Sequence, residues 1–172
     1  NKKNKNCYIR VSSNLKFTQK EIGSSISCSG VCLTLDKFNG NKCSFYLSDE
    51  TIKRSNFKIL KKGNFINLEK SIRYGDRISG HFVQGHVDIT SGVKKISVIG
   101  KSWFISFYLP HKFRKLVVAK GSISINGVSL TISKVLRNEI EIVVIPKTLK
   151  LTNLFRLKEK DLVNVEFDVL GK

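Results

Sequence analysis

The feature that most constrains this chain is an internal repeat with a constant offset of 97 residues. The aligned blocks are 25–35 with 122–132, 46–57 with 143–154, and 65–69 with 162–166. In the first pair, SISCSGVCLTL and SISINGVSLTI, seven of the eleven positions are identical. Three separate blocks in one register indicate a tandem duplication, so both copies should adopt the same fold.

Each copy is rich in strand signals and poor in helix signals. The β-branched and aromatic runs are CYIRV, CSFYL, FINLE, SWFISFYL and IEIVVI. FNGN (38–41) and LRNE (136–139) occupy matching places and read as hairpin turns. These patterns predict an all-β fold, a tandem duplication of two six-stranded Greek-key β-barrels with one or two short helical turns per barrel.

The repeat also predicts the domain boundaries, with an N-terminal barrel over 1–80 and a C-terminal barrel over 81–172. In the second copy GHVDITSGVKKIS precedes the strand SWFISFYL, whereas only NKKNKN precedes the matching CYIRV. The composition also contains no Met. We therefore expect the first strand of the N-terminal barrel to lie upstream of Asn1.

Composition narrows the function classes. The net charge is +18, from 31 Lys and Arg against 13 Asp and Glu, but the lysines are dispersed along the chain. Dispersed positive charge indicates a generally basic surface and does not form a nucleic-acid-binding motif.

No apolar run is long enough to span a membrane, and no signal-peptide pattern is present. The four cysteines form no C-x-x-C pair and are typical of reduced thiols in a cytoplasmic protein.

Strand alternation places the same residue types on the outer face of both copies. It directs Cys32 and Thr34 outward in the first copy and Ser129 and Thr131 outward in the second. Small polar side chains on a solvent-facing strand are ordinary, but their recurrence in register favours a ligand rim. The segment SGHFVQGHVD (79–88) holds two histidines and could be a metal clip, a catalytic device or a turn. A zinc site would need further ligands, so we predict no metal.

Six strings, in order along the chain, resemble riboflavin synthases of the α-subunit type, which are built from two lumazine-binding repeats. The strings are SGVCLT, DETIKRSNF, SGHFVQGHVD, KGSISINGVSLT, IPKTLKLTNL and VNVEFD, and the resemblance extends from about Cys7 to Asp168. It implies a transferase of riboflavin biosynthesis that dismutates two 6,7-dimethyl-8-ribityllumazine molecules, with no cofactor. A four-carbon unit passes from one lumazine to the other, giving riboflavin and 5-amino-6-ribitylaminouracil.

The resemblance also implies a homotrimer with each active site between the N-terminal barrel of one subunit and the C-terminal barrel of its neighbour. Association with lumazine synthase, as in some relatives, is a further expectation from the resemblance. The first half-site would comprise Cys32, Leu33, Thr34, Tyr46, Leu47, Ser48, Asp49, Glu50 and Thr51. The second would comprise Gly85, His86, Val87, Lys120, Ser129, Leu130, Thr131, Val143, Val144, Ile145, Pro146, Lys147 and Thr148. Backbone groups would bind the ring, and hydroxyl groups the ribityl chain.

Catalytic roles follow from the same resemblance. His86 is the first choice for acid–base work, because imidazole titrates near neutral pH. Cys32 could act as a nucleophile at C7 or as a thiol beside the ring. Ser129, Ser25 and Asp168 match functional positions of the family, and Asp168 is a candidate for polarisation or proton relay.

Some positions depart from the family or allow a second interpretation. His81 matches a family histidine, but a structural hydrogen-bonding role competes with a catalytic one. Ser29 stands where the family usually has Asn before the glycine, and Asn126 and Lys147 stand where some members have carboxylates. The chain ends at Lys172, before the amphipathic helix that helps family trimers assemble, so the homotrimer is an expectation for the full-length protein.

Two other functions stay open at the level of sequence. The same double barrel serves non-catalytic lumazine- or flavin-binding proteins, although the joint presence of Cys32, His86 and Ser129 favours the enzyme. A basic nucleic-acid-binding barrel is the less favoured alternative, because oligonucleotide-binding barrels are also small Greek-key sheets.

Overall fold

The repeat is visible in the element boundaries of the computed structural model, which describes residues 7–172. The strands are β1 (Cys7–Ser12), β2 (Ser25–Cys28), β3 (Val31–Asn39), β4 (Lys42–Leu47), β5 (Leu68–Lys70), β6 (Ile89–Ile99), β7 (Ser102–Tyr108), β8 (Ser122–Ile125), β9 (Val128–Val135), β10 (Glu139–Val144) and β11 (Leu162–Phe167). The helices are α1 (Asp49–Arg54) and α2 (Pro146–Leu151), with 3-10 segments at Gln19–Glu21, Asn56–Ile59, His111–Leu116, Asn153–Arg156 and Val169–Gly171.

The two copies have the same antiparallel strand order. The first forms a five-stranded sheet in the order β1-β4-β3-β2-β5, and the second forms a closed barrel in the order β10-β7-β6-β11-β8-β9. The repeat offset relates β1 to β7, β2 to β8, β3 to β9, β4 to β10 and β5 to β11. Only β6 lacks a counterpart in the described part of the first copy, and β6 closes the second barrel by pairing with both β7 and β11.

Each copy is built around a tight hairpin whose turn residues have left-handed backbone angles. In the first copy Ser29 and Gly30, with φ of 46° and 75°, join β2 to β3. In the second, Asn126 and Gly127, with φ of 48° and 81°, join β8 to β9. Two consecutive positive φ values are typical of the type I′ turn, which matches the twist of the strands it joins. Ser29 therefore adopts the conformation for which asparagine is the more usual residue.

The inward faces of the strands form one hydrophobic core per copy. The first core contains Ile26, Cys28, Val31, Leu33, Leu35, Cys43, Phe45, Leu47 and Phe57. The second is larger and is centred on buried side chains of β7 to β11, among them Ile105, Phe107, Ile142 and Phe167. The alternation predicted for 31–35 is confirmed, since Val31, Leu33 and Leu35 are buried and Thr34 is exposed.

A network of asparagines joins the two copies. The Asn164 side chain accepts a hydrogen bond from the Asn56 backbone N–H at 2.7 Å. Its amide group donates to the Asn56 side chain at 3.0 Å and to the Ser29 carbonyl at 2.9 Å. Asn164 belongs to the second copy and both of its partners belong to the first, so this one side chain crosses the interface.

The same three bonds recur, shifted by the repeat offset, around Asn67. Its side chain accepts from the Asn153 backbone N–H at 2.8 Å, and its amide donates to the Asn153 side chain at 3.1 Å and to the Asn126 carbonyl at 2.9 Å. A set of bonds that repeats with the copies exchanged is the signature of a pseudo-twofold axis. The two copies are therefore docked in a symmetric, hydrogen-bonded arrangement.

We expect Asn164→Ala to lower the free energy of unfolding by about 3 kcal/mol, measured by urea denaturation. Asn164 is 1% exposed, so the released Asn56 N–H and Ser29 carbonyl would stay buried without a partner. The control is Asn67→Ala, which removes the counterpart side chain where it is only half-buried. Because the Asn67 side chain is itself reached by solvent, water can take its place beside the Asn153 N–H and the Asn126 carbonyl, so the loss should be smaller. Equal losses for the two variants would contradict this account.

The all-β, duplicated fold predicted from sequence is confirmed, with a closed six-stranded barrel for the second copy. The predicted first strand of the N-terminal barrel lies outside the described residues. The described residues form three short helices in the first copy and four in the second, against the one or two helical turns expected per barrel. The boundary between 80 and 81 stays a prediction, and no strand lies between β5 and β6.

Candidate functional site

The segment 80–88, between β5 and β6, contacts both copies. The Gly85 carbonyl accepts a hydrogen bond from the Cys32 backbone N–H of β3 at 2.7 Å. Gly85 has a φ of +78°, and a Cβ at this position would lie 2.8 Å from the Cys32 nitrogen and 2.9 Å from its Cβ. Only glycine combines this backbone conformation with so close an approach.

This approach creates a pocket of about 320 Å³ on the first copy. Its lining residues are Val31, Cys32, Glu50, Thr51, Arg54, Ser55, Gly85, His86 and Val87. Six of them were predicted as site residues, and they come from β3, α1 and segment 80–88. The pocket therefore brings a thiol, a hydroxyl, a carboxylate and an imidazole to one surface.

The structure changes the grouping of these residues. The resemblance assigned Gly85, His86 and Val87 to the second half-site, together with Ser129. In the structure all three line the Cys32 pocket, and Val87 packs against the first copy's core. The segment adjoins the second copy in sequence, but it crosses over the first copy before β6 begins.

Residues 46–51 of the predicted first half-site form the end of β4 and the start of helix α1. Ser48 caps the helix, because its hydroxyl accepts from the Thr51 N–H at 3.0 Å and lies 2.8 Å from the Thr51 hydroxyl. This cap holds Thr51 in the pocket. Glu50 and Arg54 form an ion pair one helical turn apart, and the bond from the Arg54 guanidinium lowers the pKa of the Glu50 carboxyl.

Ser129, the counterpart of Cys32, has a different environment. Its hydroxyl lies 2.7 Å from His81 Nδ1, and a Cβ at Gly80 would overlap with it. The His81 Nε2 atom is buried with no hydrogen-bond partner among the described residues. Ser129 and His81 line a wider cavity of about 1510 Å³ that also includes Lys150, Leu151 and Thr152.

The remaining predicted residues do not converge on the Cys32 pocket. Asp168 starts a 3-10 segment, where its carboxylate accepts from the Leu170 N–H, and the Ser25 carbonyl accepts from the Ser71 hydroxyl. Leu33, Leu47 and Val144 are core residues whose side chains face away from solvent. The others lie outside the pocket: Thr34, Tyr46, Ser48, Asp49, Lys120, Leu130, Thr131, Val143, Ile145, Pro146, Lys147 and Thr148.

Sequence reasoning did not predict three of the lining residues, Val31, Arg54 and Ser55, or the glutamate that lies behind segment 84–86. Glu166 of β11 is 3% exposed, and its carboxylate accepts from three consecutive backbone N–H groups, those of Gln84, Gly85 and His86. A signal existed, because the aligned blocks 65–69 and 162–166 both end in Glu. The hydrogen bonds between Glu166 and segment 84–86 join residues about 80 positions apart in the sequence, so no local sequence pattern predicts them.

This chain is similar in sequence and in structure to known proteins. A family model described as the lumazine binding domain matches residues 1–71 and 84–168. The riboflavin synthase of Photobacterium phosphoreum is 36% identical over 158 residues, covering 92% of this chain and 72% of the relative. That of Buchnera aphidicola subsp. Schizaphis graminum is 34% identical over 168 residues, covering 97% and 81%.

A solved structure of LumP in complex with riboflavin is similar to this fold, with a TM-score of 0.80. The two proteins are 25% identical, and the similarity covers 93% of this chain and 87% of LumP. Within the described residues, no helix has both the length and the apolar character needed to cross a membrane.

Proposed function

The chain belongs to the lumazine-binding domain family, and we propose that it is a riboflavin synthase, a transferase that dismutates 6,7-dimethyl-8-ribityllumazine. Two lumazine molecules would react to give riboflavin and 5-amino-6-ribitylaminouracil. The observation that carries the proposal is the pocket in which Cys32, Thr51 and His86 line one surface. Riboflavin synthases at 34–36% identity over most of their length support the same reaction.

Duplication suits a reaction between two identical substrates. The asparagine network docks the copies about a pseudo-twofold axis, so this axis relates β3, which carries Cys32, to β9, which carries Ser129. Holding two rings in reactive register replaces a bimolecular encounter by an oriented one, which lowers the barrier substantially. In the proposed homotrimer, the first copy of one subunit would face the second copy of its neighbour.

Proton transfer and nucleophilic assistance are assigned to side chains of the Cys32 pocket. The C7 methyl group of one lumazine must lose a proton, and we assign His86 as the acid–base group because it lines the pocket and is exposed to an incoming ligand. The Cys32 thiol would stand beside the ring, where its thiolate could add to C7. Thr51 and backbone groups would bind the polar edges of the ligand.

The two half-sites are chemically unequal. Relative to the first copy, the second replaces Cys32 by Ser129 and Glu50 by Lys147, whereas Thr51 is retained as Thr148. Only the first half-site offers a thiol, and the charge beside its threonine has the opposite sign. We therefore propose that the half-sites bind lumazine with different affinities.

The direct test is incubation of the protein with 6,7-dimethyl-8-ribityllumazine, with flavin absorbance followed against a protein-free control. We expect one riboflavin and one 5-amino-6-ribitylaminouracil for every two lumazine molecules consumed. Lumazine that binds and stays unchanged would contradict the enzyme and support the second candidate, a non-catalytic lumazine- or flavin-binding protein. The similarity to LumP, solved with riboflavin, is the observation that favours this alternative.

A further inference from the structure

Glu166 makes an unusual set of contacts for a buried carboxylate. Oε1 accepts from the Gln84 N–H at 2.8 Å, and Oε2 accepts from the N–H groups of Gly85 at 2.9 Å and His86 at 3.2 Å. A buried carboxylate is unfavourable unless it is hydrogen-bonded, and bonds to a charged acceptor are stronger than neutral ones. The backbone of 84–86 therefore supplies the compensation that Glu166 needs at this position.

The same backbone connects Glu166 to Cys32. Gly85 donates its N–H to Glu166, and its carbonyl accepts from the Cys32 N–H at 2.7 Å. One residue thus bridges the carboxylate of β11 in the second copy and the strand β3 of the first. The missing side chain at Gly85 lets the two backbones approach, so the segment is fixed from both sides.

We infer that Glu166 is a positioning residue for the Cys32 pocket. By accepting three consecutive N–H groups, its carboxylate holds Gly85 against Cys32 and sets the position of His86 at the pocket edge. Its contribution to turnover rests on the proposed function. Its hold on segment 84–86 is a property of the fold that can be measured without a substrate.

The repeat provides a matched control. Glu69 occupies the equivalent strand position, pairing with Ser27 as Glu166 pairs with Ser124. Glu69 is exposed, and no hydrogen bond joins its side chain to another described residue. Replacement of either glutamate by glutamine removes one negative charge from the same place in the repeat, but only one of the two changes affects the 84–86 segment.

The experiment compares Glu166→Gln with Glu69→Gln by the rate at which iodoacetamide labels Cys32, read from peptide masses and normalised to the half-buried Cys7. We expect Glu166→Gln to raise the Cys32 rate about tenfold, because an uncharged amide holds the segment less tightly. Glu69→Gln should leave the rate at the wild-type value. An unchanged Cys32 rate in Glu166→Gln would overturn the inference.

Labelling of two further cysteines shows whether Glu166→Gln loosens only segment 84–86 or destabilises the whole fold. Cys28 and Cys43 are buried, and burial raises the pKa of both thiols, so neither should be labelled in the folded protein. Labelling of these two together with Cys32 in Glu166→Gln would overturn the inference, because Glu166 would then hold the whole fold. Labelling of Cys32 alone supports it.

Amide exchange in the wild-type protein gives a measurement that needs no variant. The N–H groups of Gln84, Gly85 and His86 should exchange more slowly than those of Phe82 and Val83, for which the described residues supply no acceptor. Equal exchange across 82–86 would overturn the inference. Should the protein form no flavin, the proposed function fails, but these labelling and exchange results keep their meaning.

Discussion

Gly30→Ala is expected to lower the free energy of unfolding by about 3 kcal/mol or more, measured by urea denaturation. A Cβ at residue 30 would lie 2.6 Å from the Gly127 nitrogen, and Gly127 belongs to the other copy. The φ of +75° adds a strain of about 1–2 kcal/mol for any residue with a Cβ. The two hairpins meet backbone to backbone at the pseudo-twofold axis, so the clash cannot be relieved by a side-chain rotation.

The variant Gly40→Ala measures the effect of backbone strain on stability without a steric clash. Gly40 also has a positive φ, of 58°, but a Cβ there would meet nothing within 4 Å. We expect a loss of only about 1 kcal/mol for this variant. The reciprocal variant Gly127→Ala, whose Cβ would lie 2.7 Å from the Gly30 nitrogen, should resemble Gly30→Ala. If Gly30→Ala and Gly40→Ala proved equally stable, the backbone contact at the axis would not exist in solution.

Gly85→Ala is expected to reduce lumazine turnover about a hundredfold. The added Cβ would lie 2.8 Å from the Cys32 nitrogen and 3.0 Å from its Cα, so segment 85–87 must move away from β3. That movement breaks the bond between the Gly85 carbonyl and the Cys32 N–H, and it displaces His86 from the pocket. The measurement is the rate of flavin formation at saturating lumazine, together with lumazine affinity by fluorescence titration.

Gly75→Ala is the matched control for this loss. Gly75 lies in the same connection between β5 and β6 and has a φ of +89°, but a Cβ there would meet nothing within 4 Å. We expect turnover within about twofold of the wild type, since the strain stays local to the connection. Equal turnover for Gly85→Ala and Gly75→Ala would show that the close approach to Cys32 has no part in catalysis.

The sequence was most informative where structure depends on neighbouring residues. Strand propensity, the hairpin turns at 38–41 and 136–139 and the alternation over 31–35 all act within a few residues, and each is seen in the structure. The repeat made these local predictions stronger, because a pattern found in one copy could be compared with the same positions of the other copy. The helix α1 was not predicted, because six residues starting with DET carry too short a pattern to indicate a helix.

Only some residues of the candidate site were predicted from the sequence. Cys32, Thr51 and His86 were predicted and lie in one pocket, but the sequence grouped His86 with Ser129 instead of Cys32. That grouping depends on the path of the connection between β5 and β6, which has no periodic pattern to follow. Leu33 and Leu47 were included because the family resemblance covers them, and alternation along the strands turns their side chains into the core.

The sequence by itself determined that the chain is a duplicated all-β protein, and which residue types recur in both copies, since these follow from local propensity and from comparison of the chain with itself. Tertiary structure decided which copy receives segment 85–87, how the asparagines join the copies, and that Glu166 accepts three backbone N–H groups. These contacts join residues about 53 to 135 positions apart. Because such contacts bring together distant parts of the chain, no short stretch of sequence encodes them.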